Sequence, residues 1–304
     1  MRYVVLDVFA ERPLEGNPLA VFTDGDVPAE LMQPLARELN LSETVFVLPP
    51  ENGGDARIRI FTPSSELRFA GHPVLGTAVL LGQERGLDRV RLETGAGVVP
   101  VELRPGGGTM QQPLPTVEPF IHAAALQEAL GFSSELPVEI YDPGLAQIYA
   151  ALPDQAAVAA YQPDMGSIAR FIREYDLIGT NVSVFAGSGT SFKTRMFAPA
   201  EGIPEDPATG SAAGPLAWHA VRHGLAGSGD ELTISQGAEI GRPSTLLARA
   251  VGDRDTVELI EVGGSASVVA EGRFSLEDPP MQQRGQTPLL REDGRGRIPT
   301  CNGR

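Results

Sequence analysis

A repeated sequence pattern constrains this chain more than any other feature. Residues 205–212 read EDPATGSA, and residues 71–78 read GHPVLGTA. Each copy has a polar residue before a proline, and a glycine three positions after that proline, followed by Ser or Thr and then Ala. The similarity extends upstream, to RIFTP at residues 59–63 and RMFAP at residues 195–199. A repeat this far apart predicts two similar half-chains, each carrying one half of a shared site.

The repeated pattern is typical of a helix start. Proline is favoured at the first helical position, which predicts His72 and Asp206 at the N-caps of two helices. Gly76 and Gly210 then fall in the first turn, where glycine costs about 1 kcal/mol relative to alanine. That cost is explained if a ligand approaches the backbone closely. Because helix N-termini attract anions, we expect two facing helix starts to hold a small carboxylate.

The composition narrows the class of partner. The chain has 304 residues, a net charge of -15 and a pI near 4.7, which argues against nucleic acid and anionic membranes as partners. No apolar run is long enough to span a membrane, and a charge follows the first residues too soon for a signal peptide. A single cysteine, Cys301, excludes an internal disulfide framework and a cysteine-based zinc site. We therefore expect a cytoplasmic protein.

The order of apolar and polar segments predicts an α+β fold. Each half consists of many strands and one long apolar helix, which we expect at 73–86 in the first half and at 207–224 in the second. The last two strands are expected near 256–262 and 265–273. We expect domains at 1–114 and 115–276, with a weakly ordered tail over 277–304, which is rich in Pro, Gly, Gln and Arg.

Three side chains near the repeats could carry chemistry. Glu43 lies between Ser42 and Thr44 at the start of an apolar strand, so it is either a solvated carboxylate or a general acid/base whose pKa its neighbours raise. Asp206 is either a simple helix cap or a functional carboxylate. His72 caps helices poorly and is flanked by Gly71 and Pro73, which leaves a structural and a functional reading equally open.

Other motifs give weaker indications. No phosphate-binding loop and no dinucleotide fingerprint are present, so no cofactor is expected. His219 and His223 share a helix face, but no third ligand at metal spacing is near them in the sequence, and we expect no metal site. Asn17 is expected to be a turn residue first and a substrate contact second. Ser211 could cap, pack or bind substrate, but a serine hydrolase framework is missing.

The chain resembles the PhzF-like family of phenazine-biosynthesis isomerases, whose fold group includes diaminopimelate epimerase. The resemblance extends over residues 7–212. The matching motifs are DVF at 7–9, GNPLAVF at 16–22, SET at 42–44, FAGHP at 69–73 with GTA at 76–78, and DPATGSA at 206–212.

The resemblance implies a diaminopimelate epimerase-like fold: two pseudo-symmetric domains, each a curled, mostly antiparallel sheet around a central helix, with the site in the cleft between them. It also implies a homodimer and catalysis without a cofactor. Glu43 maps to the family's acid/base, and His72 and Asp206 map to its residues at the helix starts. The epimerase relatives use two cysteines, but Ala70 and Thr209 occupy those neighbourhoods here.

These observations favour an isomerase that moves a proton at carbon in a small carboxylate-bearing substrate. Glu43, His72 and Asp206 are the expected catalytic residues. Asn17, Gly71, Gly210 and Ser211 are the expected substrate-binding residues. The alternative is a non-catalytic member of the same fold that binds a small molecule or a partner. The expected partner is a small carboxylate.

Overall fold

Strands dominate the computed structural model of the chain, which describes residues 1–25 and 27–276. The strands are β1 (Arg2–Val8), β2 (Asn17–Phe22), β3 (Glu43–Leu48), β4 (Ala56–Phe61), β5 (Glu66–Leu67), β6 (Arg89–Thr94), β7 (Gly97–Arg104), β8 (Gly107–Gln111), β9 (Thr116–Pro119), β10 (Glu139–Asp142), β11 (Ala146–Ala151), β12 (Thr180–Ser188), β13 (Ser191–Ala198), β14 (Ile203–Asp206), β15 (Glu231–Gln236), β16 (Ser244–Gly252) and β17 (Val257–Arg273). The helices are α1 (Ala29–Leu39), α2 (Gly71–Arg85), α3 (Ala123–Leu130), α4 (Gln155–Ala160), α5 (Met165–Glu174) and α6 (Gly210–Arg222). This composition confirms the predicted α+β class.

The strands pair mostly in antiparallel order. Parallel pairing joins β2 to β3, β4 to β6, β11 to β12 and β13 to β15. The 17-residue strand β17 pairs with β16, with β1 and with β8. The sequence predicted two strands over this segment, near 256–262 and 265–273. They form one strand because Gly263 and Gly264 remain in the ladder opposite β8 instead of forming a turn.

The two long helices predicted from the repeat are α2 and α6. Residues of α2 are buried from Gly71 to Gly82, and residues of α6 from Gly210 to Ala220, as expected for helices that are apolar on all sides. Strands from several ladders pack around each of them. Both helices belong to the compact unit Met1–Arg273.

The helix starts differ from the sequence prediction. Helix α2 has its N-cap at Ala70, so His72 lies inside the first turn. Helix α6 has its N-cap at Thr209, and Asp206 is the last residue of β14. His72 and Asp206 are therefore not N-caps, and that prediction was wrong. The prediction assumed that proline is the first residue of each helix. Pro73 is instead the third residue of α2, and Pro207 lies in a short bend before α6 begins.

The predicted boundary between two domains, at residues 114 and 115, stays a prediction. The tail predicted over 277–304 lies outside the described residues. Within the part of the chain that is described, no helix has both the length and the apolar character needed to cross a membrane.

Candidate active site

The predicted catalytic residues meet around one small cavity of about 60 Å³. Glu43 is the first residue of β3, His72 the second residue of α2, and Asp206 the last residue of β14. The cavity is lined by Glu43, Thr62, Leu67, Ala70, Gly71, His72, Leu145, Asn181, Met196, Ala198, Glu201, Ile203, Asp206, Thr209, Gly210 and Ser211. Residues that are far apart in the sequence therefore form one site.

The two helix starts touch at their first residues. A Cβ atom added to Gly71 would lie 2.7 Å from the carbonyl carbon of Gly210 and 2.8 Å from the amide nitrogen of Ser211. A Cβ atom on Gly210 would lie 3.2 Å from the Cα of Gly71. Only glycine allows this approach, which brings the N–H groups of both first turns to the cavity wall. The expected anion-binding geometry is thus available.

Glu43 and His72 form a close side-chain pair in the cavity. Glu43 Oε2 lies 3.3 Å from His72 Nε2, and the side chains are only 13% and 5% exposed. Neither atom has a well-aligned hydrogen bond to any described residue. Both groups therefore face the cavity with unused hydrogen-bonding capacity, which a bound substrate can use.

Asp206 is held by a set of donors. Thr209 Oγ1 donates to Asp206 Oδ2 at 2.6 Å, and Asn17 Nδ2 donates to Asp206 Oδ1 at 2.9 Å. Burial raises the pKa of Asp206, and these hydrogen bonds act in the opposite direction. The Ser42 side chain and the Ala208 backbone also act to lower the pKa of Asp206.

The electrostatics distinguish the two carboxyl groups. Burial, and then the negative charge of Asp206, raise the pKa of Glu43 well above its ordinary value. Within residues 1–25 and 27–276, Glu43 Oε2 has no donor that would offset this effect, whereas Asp206 has several. Burial also lowers the pKa of His72 to about 3, so its imidazole is neutral. Glu43 therefore holds a proton more tightly than Asp206 does, and a neutral His72 lies beside it.

Asn17 does not line the cavity. It is fully buried, and Nδ2 also donates to the carbonyl oxygen of Ala208 at 3.0 Å. Asn17 therefore contacts the site through Asp206. Gly71, Gly210 and Ser211, the other expected substrate-binding residues, all line the cavity.

Two polar residues that form hydrogen bonds around Asp206 were not predicted to have a role: Gln236 and Thr209. Gln236, on β15, contacts both Asp206 and Thr209 from outside the cavity. It lies in an ordinary alternating strand, so no sequence signal marks it. Thr209 lies inside the repeated pattern but was considered only as a position without a thiol.

A larger groove adjoins the cavity. It has a volume of about 380 Å³ and shares Thr62, Glu201 and Ile203 with the cavity wall. Its other lining residues are Asn40, Leu41, Ser42, Pro63, Ser64, Gly202 and Pro204. The groove adjoins the cavity that contains the catalytic groups, and its volume could hold parts of a ligand that the cavity cannot contain.

A second polar cluster lies at the other end of α6. His219, His223 and Glu139 have their ligand atoms within 4.8 Å of one another, which is compact enough for a metal ion. Arg222 Nη2 pairs with Glu139 Oε1 at 2.8 Å, and Tyr141 donates to Glu139 Oε2 at 2.7 Å. Hydrogen bonds and the guanidinium thus already compensate the carboxylate. The absence of a metal stays a prediction from the sequence, which did not identify Glu139.

The chain matches the model of the phenazine biosynthesis-like protein family over residues 6–272. A trans-2,3-dihydro-3-hydroxyanthranilate isomerase from Pseudomonas aeruginosa is 50% identical over 282 residues, covering 90% of this chain and 99% of the relative. The enzyme of the same name from Pseudomonas chlororaphis is 47% identical over 281 residues, with the same two coverages.

Solved structures agree with this relationship. A predicted epimerase from Pseudomonas aeruginosa is 32% identical and superimposes with a TM-score of 0.76, covering 91% of this chain and 99% of that one. A probable proline racemase from Agrobacterium radiobacter shares the fold alone, with a TM-score of 0.62 at 14% identity and coverages of 93% and 94%. The chain therefore belongs to the phenazine biosynthesis-like family, and it is an isomerase.

Proposed function

We propose that this isomerase moves a proton between carbon atoms of a small cyclic carboxylate without a cofactor, with Glu43 as the general acid/base. The observation that carries the proposal is the buried contact between Glu43 and His72, at the point where the starts of α2 and α6 meet. A carboxyl group with a raised pKa in a cavity is suited to take a proton from carbon and to return it.

The substrate carboxylate would bind at the two helix starts. The first-turn N–H groups of Gly71, Gly210 and Ser211 have no partner within their helices, and they carry the positive end of the helix dipoles. The same groups can stabilise the negative charge that develops when the proton leaves carbon. A carboxylate in this position would hold the reacting carbons beside Glu43.

Each reacting group has one role in the cycle. The ionised form of Glu43 removes a proton from one carbon, the electron pair of that C–H bond moves into the adjacent double-bond system, and Glu43 returns a proton to a second carbon. No electrons enter or leave the substrate. Neutral His72 orients the Glu43 carboxyl group or a polar substituent, and Asp206 accepts hydrogen bonds from the substrate or its neighbours.

The similarity to enzymes named for trans-2,3-dihydro-3-hydroxyanthranilate supports a related substrate for this chain. The dimensions of the site agree with a ring carboxylate, since the groove of about 380 Å³ can contain what the inner cavity cannot. The cytoplasmic location and the homodimer stay predictions from the sequence.

A Glu43→Gln variant tests the proposal. We expect turnover of trans-2,3-dihydro-3-hydroxyanthranilate to fall by about 100-fold or more, the usual contribution of a general base. Binding, followed by calorimetry, should persist because the amide keeps the shape of the side chain. Turnover by this variant at the wild-type rate would refute the role of Glu43. Binding by the wild type without any turnover would instead favour the binding-protein alternative.

A further inference from the structure

Gln236 links the backbone and the side chains behind Asp206. Its Nε2 donates to the carbonyl oxygen of Asp206 at 2.8 Å, and its Oε1 accepts from the amide N–H of Thr209 at 3.2 Å. A carbonyl can only accept and an N–H can only donate, so these two contacts fix the orientation of the Gln236 amide. The side chain is 1% exposed and cannot reorient without breaking both contacts.

The orientation of Gln236 determines the direction of the next hydrogen bond. Gln236 Nε2 lies 2.9 Å from Thr209 Oγ1, and an amide NH₂ group can only donate. The Thr209 hydroxyl must therefore accept from Gln236, and its single proton is available for Asp206 Oδ2, 2.6 Å away. A chain of donors thus runs from Gln236 through Thr209 to Asp206.

Asn17 donates a hydrogen bond to the other carboxylate oxygen of Asp206. Its Nδ2 donates one hydrogen to the Ala208 carbonyl oxygen, which fixes the amide, and the other to Asp206 Oδ1. Both oxygens of Asp206 therefore accept a hydrogen bond from a group that is oriented by the backbone. A proton on Asp206 would weaken both bonds, because a neutral carboxyl group is a poorer acceptor than a carboxylate.

We propose that Gln236 and Thr209 form a positioning relay that, together with Asn17, keeps Asp206 ionised and leaves the proton of the carboxyl pair on Glu43. The inference rests on the proposed function, in which Glu43 is the acid/base. Gln236 and Thr209 then act by positioning hydrogen bonds at Asp206, and neither of them transfers a proton to or from the substrate.

The relay has a consequence for catalysis. An ionised Asp206 makes Glu43 hold its proton more tightly, and a carboxylate with a higher proton affinity is a stronger base toward a C–H bond. If the proton moved to Asp206, Glu43 would be ionised over a wider pH range but would be a weaker base. The groups that donate hydrogen bonds to Asp206 therefore influence the strength of Glu43 as a base.

Other titratable groups lie near Glu43 and Asp206 and also affect how these two carboxyl groups titrate. His72 is neutral beside Glu43. Glu201 lines the cavity and accepts a hydrogen bond from the Gly179 N–H at 2.9 Å. Glu205, next to Asp206, is neutralised by Arg195 in a buried pair at 2.8 Å. None of these groups touches Gln236 or Thr209, so their effects are the same in the variants below.

Carbon NMR of the full-length protein, labelled at the side-chain carboxyl carbons of Asp and Glu, tests the relay without any substrate. Glu43→Gln and Asp206→Asn identify the two resonances. In the wild type we expect two coupled steps, with the Asp206 carbon changing in the acidic step and the Glu43 carbon in the alkaline one. Loss of this order in the wild type would overturn the inference, whether or not the protein is an isomerase.

Thr209→Val removes the relay hydroxyl at nearly constant shape. We expect the Asp206 carbon to take part in the alkaline step and the midpoint of the Glu43 curve to fall by about one pH unit, the effect of one lost hydrogen bond to a charged group. Gln236→Glu should also bring the Asp206 carbon into the alkaline step, because a second carboxylate competes for the Thr209 proton and its charge raises the pKa of Asp206. Thr209→Ser retains the hydroxyl and should restore the wild-type order.

Thr194→Val is the matched control. Thr194 is a buried threonine whose hydroxyl donates to the Val184 carbonyl at 3.2 Å, away from Asp206. Its replacement should leave both titration curves unchanged. If Thr209→Val is folded, as judged by circular dichroism, and both curves stay at their wild-type positions, Thr209 has only a structural role and the proposal is wrong.

Discussion

Gly71 and Gly210 are the first residues of two helices, and a Cβ on Gly71 would lie 2.7 Å from the carbonyl carbon of Gly210. Ordinary nonbonded contacts do not come this close, so the two helix starts can meet in this way only because residue 71 is glycine. The contact joins a helix of the first half of the chain to a helix of the second half. It fixes the distance between the first-turn N–H groups of the two helices, which would share a substrate carboxylate.

Gly71→Ala tests this contact. The new methyl group would force the helix starts apart, and we expect kcat/KM to fall roughly 100-fold, since a displacement of about 1 Å can cost that much. Gly82→Ala, in the same helix, is the control: its methyl group would meet the end of the Leu103 side chain, far from the cavity. It should lower stability without a comparable loss of activity. Equal catalytic losses in both variants would contradict the role of the contact.

The raised pKa of Glu43 predicts how stability depends on pH. A carboxyl group whose pKa is higher in the folded state favours folding below its unfolded pKa, and this contribution is lost as the pH rises through the folded pKa. Glu43→Gln should therefore have a higher Tm than the wild type in alkaline buffer and little advantage near about pH 4. Scanning calorimetry at both pH values checks this. An advantage of the same size at both would contradict the buried, protonated Glu43.

The pH dependence of turnover follows from the same group. The free enzyme must lose the Glu43 proton before this residue can act as a base, so kcat/KM should fall as the pH decreases through the raised pKa of Glu43. His72, whose pKa is about 3, should contribute no limb near neutral pH. His72→Gln should keep the position of the acidic limb. A limb that disappears in this variant would assign the titration to His72 instead.

The Asp7–Arg242 pair predicts a stability effect next to the site. Arg242 Nη2 lies 2.6 Å from Asp7 Oδ1, and Arg242 also donates to the carbonyls of Glu15 and Gly16, just before Asn17. Asp7 is 1% exposed, so Arg242→Met would leave a buried carboxylate without its cation, held only by the Leu14 N–H, and should lower the free energy of unfolding by about 3 kcal/mol. Adding Asp7→Asn should recover part of this loss in urea denaturation. A single-variant effect near zero would show that the pair is not needed.

The sequence predicted the site better than it predicted the local geometry. Glu43, His72, Asp206, Gly71, Gly210 and Ser211 all line one cavity, because the repeat marks the two helix starts that form it. The caps were wrong because Pro73 is the third residue of α2 and not the first, and because Pro207 lies in a bend before α6 begins.

Other features could not be predicted from local pattern. The role of Gln236 depends on the pairing of β15 with β13 and β16, which brings it beside Asp206 across 30 residues of sequence. The placement of Asn17 behind Asp206 spans 189 residues. The continuity of β17 through two glycines depends on its partner β8.

The most direct test of the central claim is to follow trans-2,3-dihydro-3-hydroxyanthranilate in heavy water by proton NMR and mass spectrometry, with wild type and Glu43→Gln. We expect only the wild type to form an isomer of the substrate. Part of that product should carry one carbon-bound deuterium, because the proton held by Glu43 exchanges with solvent. An isomer formed equally fast by Glu43→Gln, or a rearrangement in which no carbon-bound hydrogen moves, would contradict the account.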